Sequence, residues 1–279
     1  MQIRKLTEHD IFDLLDAING AFADYIVPFQ LNAEQLQFKI ASENILLEWS
    51  VGIFEAEKLI AFIMHGMRIA DGKIVVYNAG TGVLPEYRGH GLVGKMYHYI
   101  MPFFAENKVS ELVLEVIESN QSAIRAYEKN GFSIRRKLLC FGGELKPKSH
   151  SNTATIKPLQ DFLWEDFQSF WDISPSWQSA IASMDVAKPT VLGAFIDAEL
   201  AGYILFNLAN KRIYHIAVAP KYRRKSIGTQ LLTEVQLQML VEKVQINNMD
   251  EEAENLKLFL EKQGLTNNIN QLEMLKSLE

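Results

Sequence analysis

Cysteine is almost missing from this chain: Cys140 is the only one in 279 residues. A lone thiol can neither close an intramolecular disulfide nor build a cysteine metal cluster. Long apolar runs are missing as well, and none approaches the ~20 residues that a membrane-spanning helix needs. The opening Met1-Gln2-Ile3-Arg4-Lys5-Leu6 carries no apolar signal core. There is no basic excess either. Lys and Arg number 28 against 34 Asp and Glu, a formal net charge of -6, which speaks against a nucleic-acid-binding face. The histidines show no metal-ligand spacing, His90 and His98 forming no H-x-x-x-H pair, and no Gly-x-Ser-x-Gly elbow occurs. The expectations are a reducing cytoplasm, no membrane, no nucleic acid and no metal.

What is present is a globular composition, 48% hydrophobic and 22% charged, in a chain long enough for two domains of ordinary size. Alternation over residues 2–6 predicts a short strand, and Thr7 can cap a helix over 11–22 in which Ile11, Leu14, Leu15 and Ile18 share a face. Asn32 can cap a second helix. Residues 51–56, 59–69 and 73–83 are strand-like and joined by hairpin-length links. A helix over 89–107 containing Pro102, a strand over 112–117, a helix ending at Gly131 and a long strand over 132–145 follow. Polar residues 147–153 read as a linker. The same succession of elements then returns in weaker form over 154–279.

The most informative stretch is Val83-Leu84-Pro85-Glu86-Tyr87-Arg88-Gly89-His90-Gly91-Leu92-Val93-Gly94. A glycine-rich bend running into a helix leaves backbone N–H groups unpaired where the helix dipole favours negative charge, so it is a seat for a phosphate-bearing ligand. Residues 89–94 satisfy the dinucleotide pattern G-x-G-x-x-G. With Lys95 they nearly satisfy the P-loop pattern, where Met96 stands in place of the magnesium-holding Ser or Thr. Both patterns expect strands alternating with helices, whereas a hairpin meander precedes this loop. At this level three ligand classes remain open.

Two signatures together narrow the choice. Residues 83–91 resemble the acetyl-CoA pyrophosphate loop of the GNAT N-acetyltransferase superfamily, whose core is R/Q-x-x-G-x-G/A. Leu114-Glu115-Val116, Asn120 to Ala123, Tyr127 and Gly131-Phe132 resemble that family's second signature, in the right order and at the right separation. The resemblance implies an α/β protein of α+β type, with two tandem mixed, mainly antiparallel sheets flanked by helices. It would comprise a catalytic domain over 1–146, a linker over 147–153 and a degenerate copy over 154–279. Each full copy would splay its sheet between the fourth and fifth strands, with acetyl-CoA as co-substrate in the opening and no metal.

Carried over position by position, Thr81, Gly82 and Val83 would pair with the pantetheine arm by backbone hydrogen bonds. Arg88, Gly89, His90, Gly91, Leu92, Val93 and Gly94 would cradle the pyrophosphate, although Val93 occupies the second Gly/Ala position of the core. Asn120 would bind pantetheine, or cap its helix, or both. Tyr127 would protonate the departing thiolate, and Glu115 would serve as base, with Glu118 in reserve. Tyr25, Tyr77 and Asn78 would line the acceptor pocket. The implied activity is acetyl transfer to the amine of a small molecule, a protein N-terminus or a lysine. The alternative is a non-catalytic acyl-CoA-binding or regulatory module.

In the second copy Val218-Ala219-Pro220-Lys221-Tyr222-Arg223 answers residues 83–88, and Gly228 fits the core pattern, but Ser226 replaces its first glycine. Counting back from Gly264, the tyrosine position holds Leu260 and the asparagine position Ala253. No catalysis is expected there.

Overall fold

The computed structural model of the protein describes residues 1–27, 29–147, 153–239 and 243–278. Most of the expected linker, residues 148–152, lies outside the described residues.

The chain opens with β1 (Gln2–Lys5), and a short turn then leads into α1 (Ile11–Phe22). Asp10 fixes that turn. Its carboxylate accepts from the Thr7 backbone and hydroxyl, each at 2.8 Å, and from the Arg4 guanidinium at 2.8 and 2.6 Å. Of the expected α1 face, Leu14 and Ile18 are buried and Ile11 and Leu15 half-buried, while Ala17 and Ala21 complete the buried stripe. Asn32 caps α2 (Ala33–Ser42) by accepting from Gln35 N at 2.8 Å.

Strands β2 (Val51–Glu55), β3 (Lys58–Ala70) and β4 (Lys73–Val83) form the antiparallel meander. The helix α3 (Leu92–Glu106) continues through Pro102, and β5 (Val109–Ile117) returns parallel to β4. The remainder of this copy is α4 (Gln121–Lys129) and β6 (Ser133–Glu144). The second copy repeats the order with β7 (Thr155–Pro158), α5 (Trp164–Ser169), α6 (Ile181–Ala187), β8 (Thr190–Ile196), β9 (Glu199–Asn207) and β10 (Arg212–Val218). It ends with α7 (Ile227–Met239), β11 (Lys243–Asp250), α8 (Glu254–Lys262) and β12 (Thr266–Ser277). Mixed, mainly antiparallel pairing with flanking helices matches the expected fold class.

The chain divides into two compact units, Met1–Arg135 with the residues from Leu272 onward, and Arg136–Gln271. The first has strands in the order β1-β2-β3-β4-β5, and its core joins Ile60, Val76, Met96, Ile100, Phe104 and Leu114 to Leu272 and Met274 from the far end of the sequence. Leu278 N donates to Ser110 O at 2.9 Å beside it. The second unit has the order β6-β11-β10-β9-β8-β7, and its core gathers Phe141, Ile204, Phe206, Leu231, Val235 and Leu260. The division therefore falls inside the last strand of each copy, not at residues 147–153.

One irregularity recurs. The β3–β4 register passes from His65↔Asn78 to Met64↔Gly80, leaving Ala79 as a bulge, and the β9–β10 register likewise skips Tyr214 between Ile213 and His215. A bulge inserts one residue and re-aims the side chains that follow it. The copies thus share the place where β4 and β10 change face.

Candidate active site

In the first unit β4 and β5 stay paired from Ile74↔Val109 to Asn78↔Leu114. Beyond Asn78 the strand keeps its β3 partners as far as Val83↔Ala61, and among the described residues it has no pairing to β5. The backbone of Thr81, Gly82 and Val83 therefore borders an opening between parallel strands. Gly82 is demanded from the opposite side, because a Cβ there would lie 2.4 Å from the Phe62 ring.

The loop behind this opening is built by backbone geometry. Gly89 and Gly91 have φ of 81° and 66°, the left-handed region that glycine tolerates best, and a Cβ at either would meet nothing within 4 Å. Gly91 then caps α3, whose first turn includes Leu92, buried, with Val93 and Gly94. The result is open space in front of unpaired N–H groups at a helix N-terminus, which fits a diphosphate. His90 is exposed, with Nδ1 3.1 Å from Tyr87 O. Gly94 is unconstrained by its neighbours, since a Cβ there would stand at an ordinary 3.8 Å from the Asn130 amide.

Arg88 does something sequence reasoning did not foresee. Its guanidinium turns away from the loop mouth and donates to both Asp24 oxygens at 2.7 Å, to Ala21 O at 3.0 Å and to Val83 O at 3.2 Å. The pairing holds the Asp24 carboxyl below its usual range and raises the arginine. Its side chain is a staple between the α1 end and the loop.

The other expected residues converge on the same end of the sheet. Asn120 caps α4, accepting from Ala123 N at 3.2 Å, and its amide donates to Tyr25 Oη at 3.2 Å. Glu115, half-buried on β5, accepts from Tyr77 Oη at 3.0 Å. Tyr77 is buried, and burial together with that carboxylate drives its phenol well above its ordinary pKa, so it stays a donor and orients Glu115. Tyr127 is buried beside Phe132, and its phenol is pushed up to about 12 by burial, with the Thr81 hydroxyl and Asn78 amide acting in the opposite sense. Tyr77 and Asn78, expected along an acceptor pocket, instead face Glu115 and Thr81. Among the described residues no group of three or more His, Cys, Asp or Glu side chains is placed to hold a metal.

The second unit carries a cavity of about 800 Å³ at the corresponding place, its wall including Tyr203, His215, Ile216, Ile227, Asn248 and Phe259. His215 is locked in a chain running from Trp171 through Tyr203 to its Nδ1 at 3.0 Å, while its Nε2 meets Ser179 O. The loop backbone is retained: Arg224 and Ser226 have φ of 63° and 62° where Gly89 and Gly91 stand in the first copy. Both residues are exposed and line that cavity, and Arg224 donates to Asn255 Oδ1 at 3.4 Å.

A model of the acetyltransferase (GNAT) family matches residues 14–132 and again 156–264. The chain belongs to that family, twice over. Family membership makes it an acyltransferase by descent, built as a tandem of GNAT domains. No curated protein matches it. Among solved structures, a GCN5-related N-acetyltransferase from Sphaerobacter thermophilus is 17% identical, with 99% of this chain and 95% of that one covered at a TM-score of 0.72. A tandem GNAT protein from the clavulanic acid biosynthesis pathway is 13% identical, covering 99% and 98% at 0.71. A putative acetyltransferase from Pyrococcus horikoshii is 13% identical, covering 100% and 89% at 0.69. At such identities these likenesses speak to the fold. Among the described residues no helix is long and apolar enough to cross a membrane.

Proposed function

We propose that this GNAT protein transfers an acetyl group from acetyl-CoA to a primary amine by direct attack in a ternary complex, and that residues 1–146 carry the chemistry. The observation that supports this most is the opening where β4 leaves β5 after Asn78↔Leu114, with the open Gly89–Gly91 bend at the start of α3 behind it. Acetyl-CoA supplies the activated acyl group as a thioester. Residues 89–94 offer the diphosphate backbone N–H groups and a helix dipole, and Thr81 to Val83 offer the pantetheine amides a strand edge. Glu115, oriented by Tyr77, takes the proton that the amine loses on attack, directly or through water. Tyr127 gives its proton to the thiolate.

The acceptor is the amine of a small molecule, a protein N-terminus or a lysine. The second copy has Leu260, Ala253 and Asn248 where the first has Tyr127, Asn120 and Glu115, and is non-catalytic in this reading. Thiol release from acetyl-CoA across a panel of amines tests the proposal, with Tyr127→Phe expected to lower kcat by about a hundredfold or more at nearly unchanged acetyl-CoA KM. Full turnover by that variant would exclude Tyr127 as the acid. Binding of ATP or NAD in place of acetyl-CoA would exclude the whole reading.

A further inference from the structure

We propose that the cavity of the second unit is a seat for the C-terminal end of an apolar peptide, which adds as an extended strand along β10. The inference goes beyond acetyl transfer and does not depend on it, because every residue it uses lies in the second unit.

The two copies open to different depths. In the first, β4 and β5 stay paired from Ile74↔Val109 to Asn78↔Leu114. In the second, among the described residues, β10 meets β11 only at Arg212↔Gln245. Along its other edge β10 is paired with β9 as far as Val218↔Gly202. The edge from Ile213 to Val218 is therefore without a neighbouring strand, a length of roughly 20 Å at ~3.3 Å per residue. An unpaired edge of this kind is best satisfied by another extended backbone.

The cavity of about 800 Å³ takes in this edge, and Ile213, Ile216, Ile246, Met249 and Phe259 give it an apolar wall. Two orphaned hydroxyls share that wall. Ser176 and Ser179 are 1% and 5% exposed, and neither Oγ has a hydrogen-bond partner among the described residues. His215 cannot serve them, since its Nδ1 meets Tyr203 and its Nε2 meets Ser179 O. A buried hydroxyl left unpaired costs about 1–3 kcal/mol, so the pair points to an occupant with polar atoms as well as apolar ones.

The wall also includes the N-terminus of α7, through Ser226, Ile227 and Gly228. The first N–H groups of a helix have no partner within it, and its dipole draws an anion. Arg223 is committed to Asp172, which leaves the exposed Arg224 to offer its fork to a carboxylate. Glu252 and Glu254 line the cavity beside Arg224 and Lys262. That balance suits one negative charge better than the several of a nucleotide diphosphate. The place of Asn120 is taken by Ala253, so the side chain expected to bind pantetheine has no counterpart. A peptide C-terminus meets each condition. It brings one carboxylate, backbone groups for the β10 edge and side chains that alternate toward the aliphatic wall.

The test titrates the full chain with fluorescein-labelled pentapeptides of Ala, Val, Ile, Leu and Phe in random order, as free acids and as C-terminal amides. The free acids are expected to bind with Kd below about 100 μM and the amides about tenfold more weakly. Arg224→Gln is expected to erase that difference. A ¹⁹F signal from fluorotryptophan at Trp171, identified by its loss in Trp171→Phe, should move as free acid is added, because Trp171 lines the cavity. This readout needs no variant of the binding residues to fold. Acetyl-CoA should leave the peptide in place. The proposal is overturned by no peptide binding up to about 1 mM, by equal binding of acid and amide, or by a Trp171 signal that stays put. Displacement of the peptide from Trp171 by acetyl-CoA overturns it too, and returns the cavity to the cofactor.

Discussion

Arg88 grips Asp24 through two hydrogen bonds of 2.7 Å, and Arg223 repeats the grip on Asp172. The repeat extends to the carbonyls. Arg88 reaches Ala21 O and Val83 O, and Arg223 reaches Phe170 O at 3.1 Å and Val218 O at 3.0 Å. A planar guanidinium can serve a carboxylate and two carbonyls at once, which a lysine cannot. Because both copies keep these contacts, the arginine of the R-x-x-G pattern belongs to the loop's construction.

Replacing Arg88 should consequently act on ligand affinity more than on folding. Arg88→Gln is expected to raise the acetyl-CoA KM about five- to tenfold with kcat largely kept, the mark of lost uniform binding. The thermal midpoint should barely move, since the Arg88–Asp24 pair is exposed. Steady-state kinetics and calorimetry with acetyl-CoA check this, and an unchanged KM would remove the staple from the binding argument.

The left-handed loop positions make a paired prediction. Ser226→Gly and Arg224→Gly should each stabilise the second unit by roughly 1 kcal/mol, the cost of holding a residue with a Cβ at positive φ. Gly91→Ser should cost the first unit a similar amount, yet fold, because Ser226 already lives in that conformation. Its side chain would fill the open space before α3, and acetyl-CoA binding should be lost. Urea midpoints and calorimetry separate the two effects.

The departure at Val93 has a packing counterpart. In the second copy the same place is Gly228, where a Cβ would come within 3.0 Å of the Phe259 ring. The corresponding residue on α4 of the first copy is Ala126. Large and small have changed sides between helices. Gly228→Val should destabilise by about 1–3 kcal/mol, and adding Phe259→Ala should recover most of it, as a double-mutant cycle would show.

Two buried histidines set the acid limit. His65 lies 1% exposed with Nδ1 2.9 Å from Trp49 O, and burial lowers it from 6.5 to about 4. His215 is lowered to about 4, chiefly by burial. Between those values the unfolded chain binds protons that the folded chain refuses, so stability is whole above pH 6.5 and falls as the pH drops toward 4. Each histidine contributes about 3 kcal/mol to that fall. Urea unfolding across the window should show the slope, and His65→Gln should flatten its share.

How far the sequence could be read depended on range. The element order, the capping by Asn32 and Asn120 and the two family signatures were legible because each is a local pattern of spacing and residue type. The destination of Arg88 was not, since Asp24 lies far away in sequence and any loop arginine suits a phosphate on paper. Nor was the Asn78–Thr81–Tyr97 cluster, because alternation assigns Asn78 and Thr81 to opposite faces until one bulged residue is known. Tyr77 was expected at a pocket wall and instead orients Glu115. The division inside the last strands was hidden for a similar reason, as a strand's pattern says which face is buried and nothing about which core it completes.

That division has a consequence for how the protein is made. The core of the first unit contains Leu272 and Met274, which leave the ribosome after nearly all of the second copy. A domain that normally folds during synthesis must here wait, with the β5 edge that Leu278 will meet still bare, until the whole second copy has been translated. A chain cut short before Leu272 would therefore injure the half of the molecule encoded first.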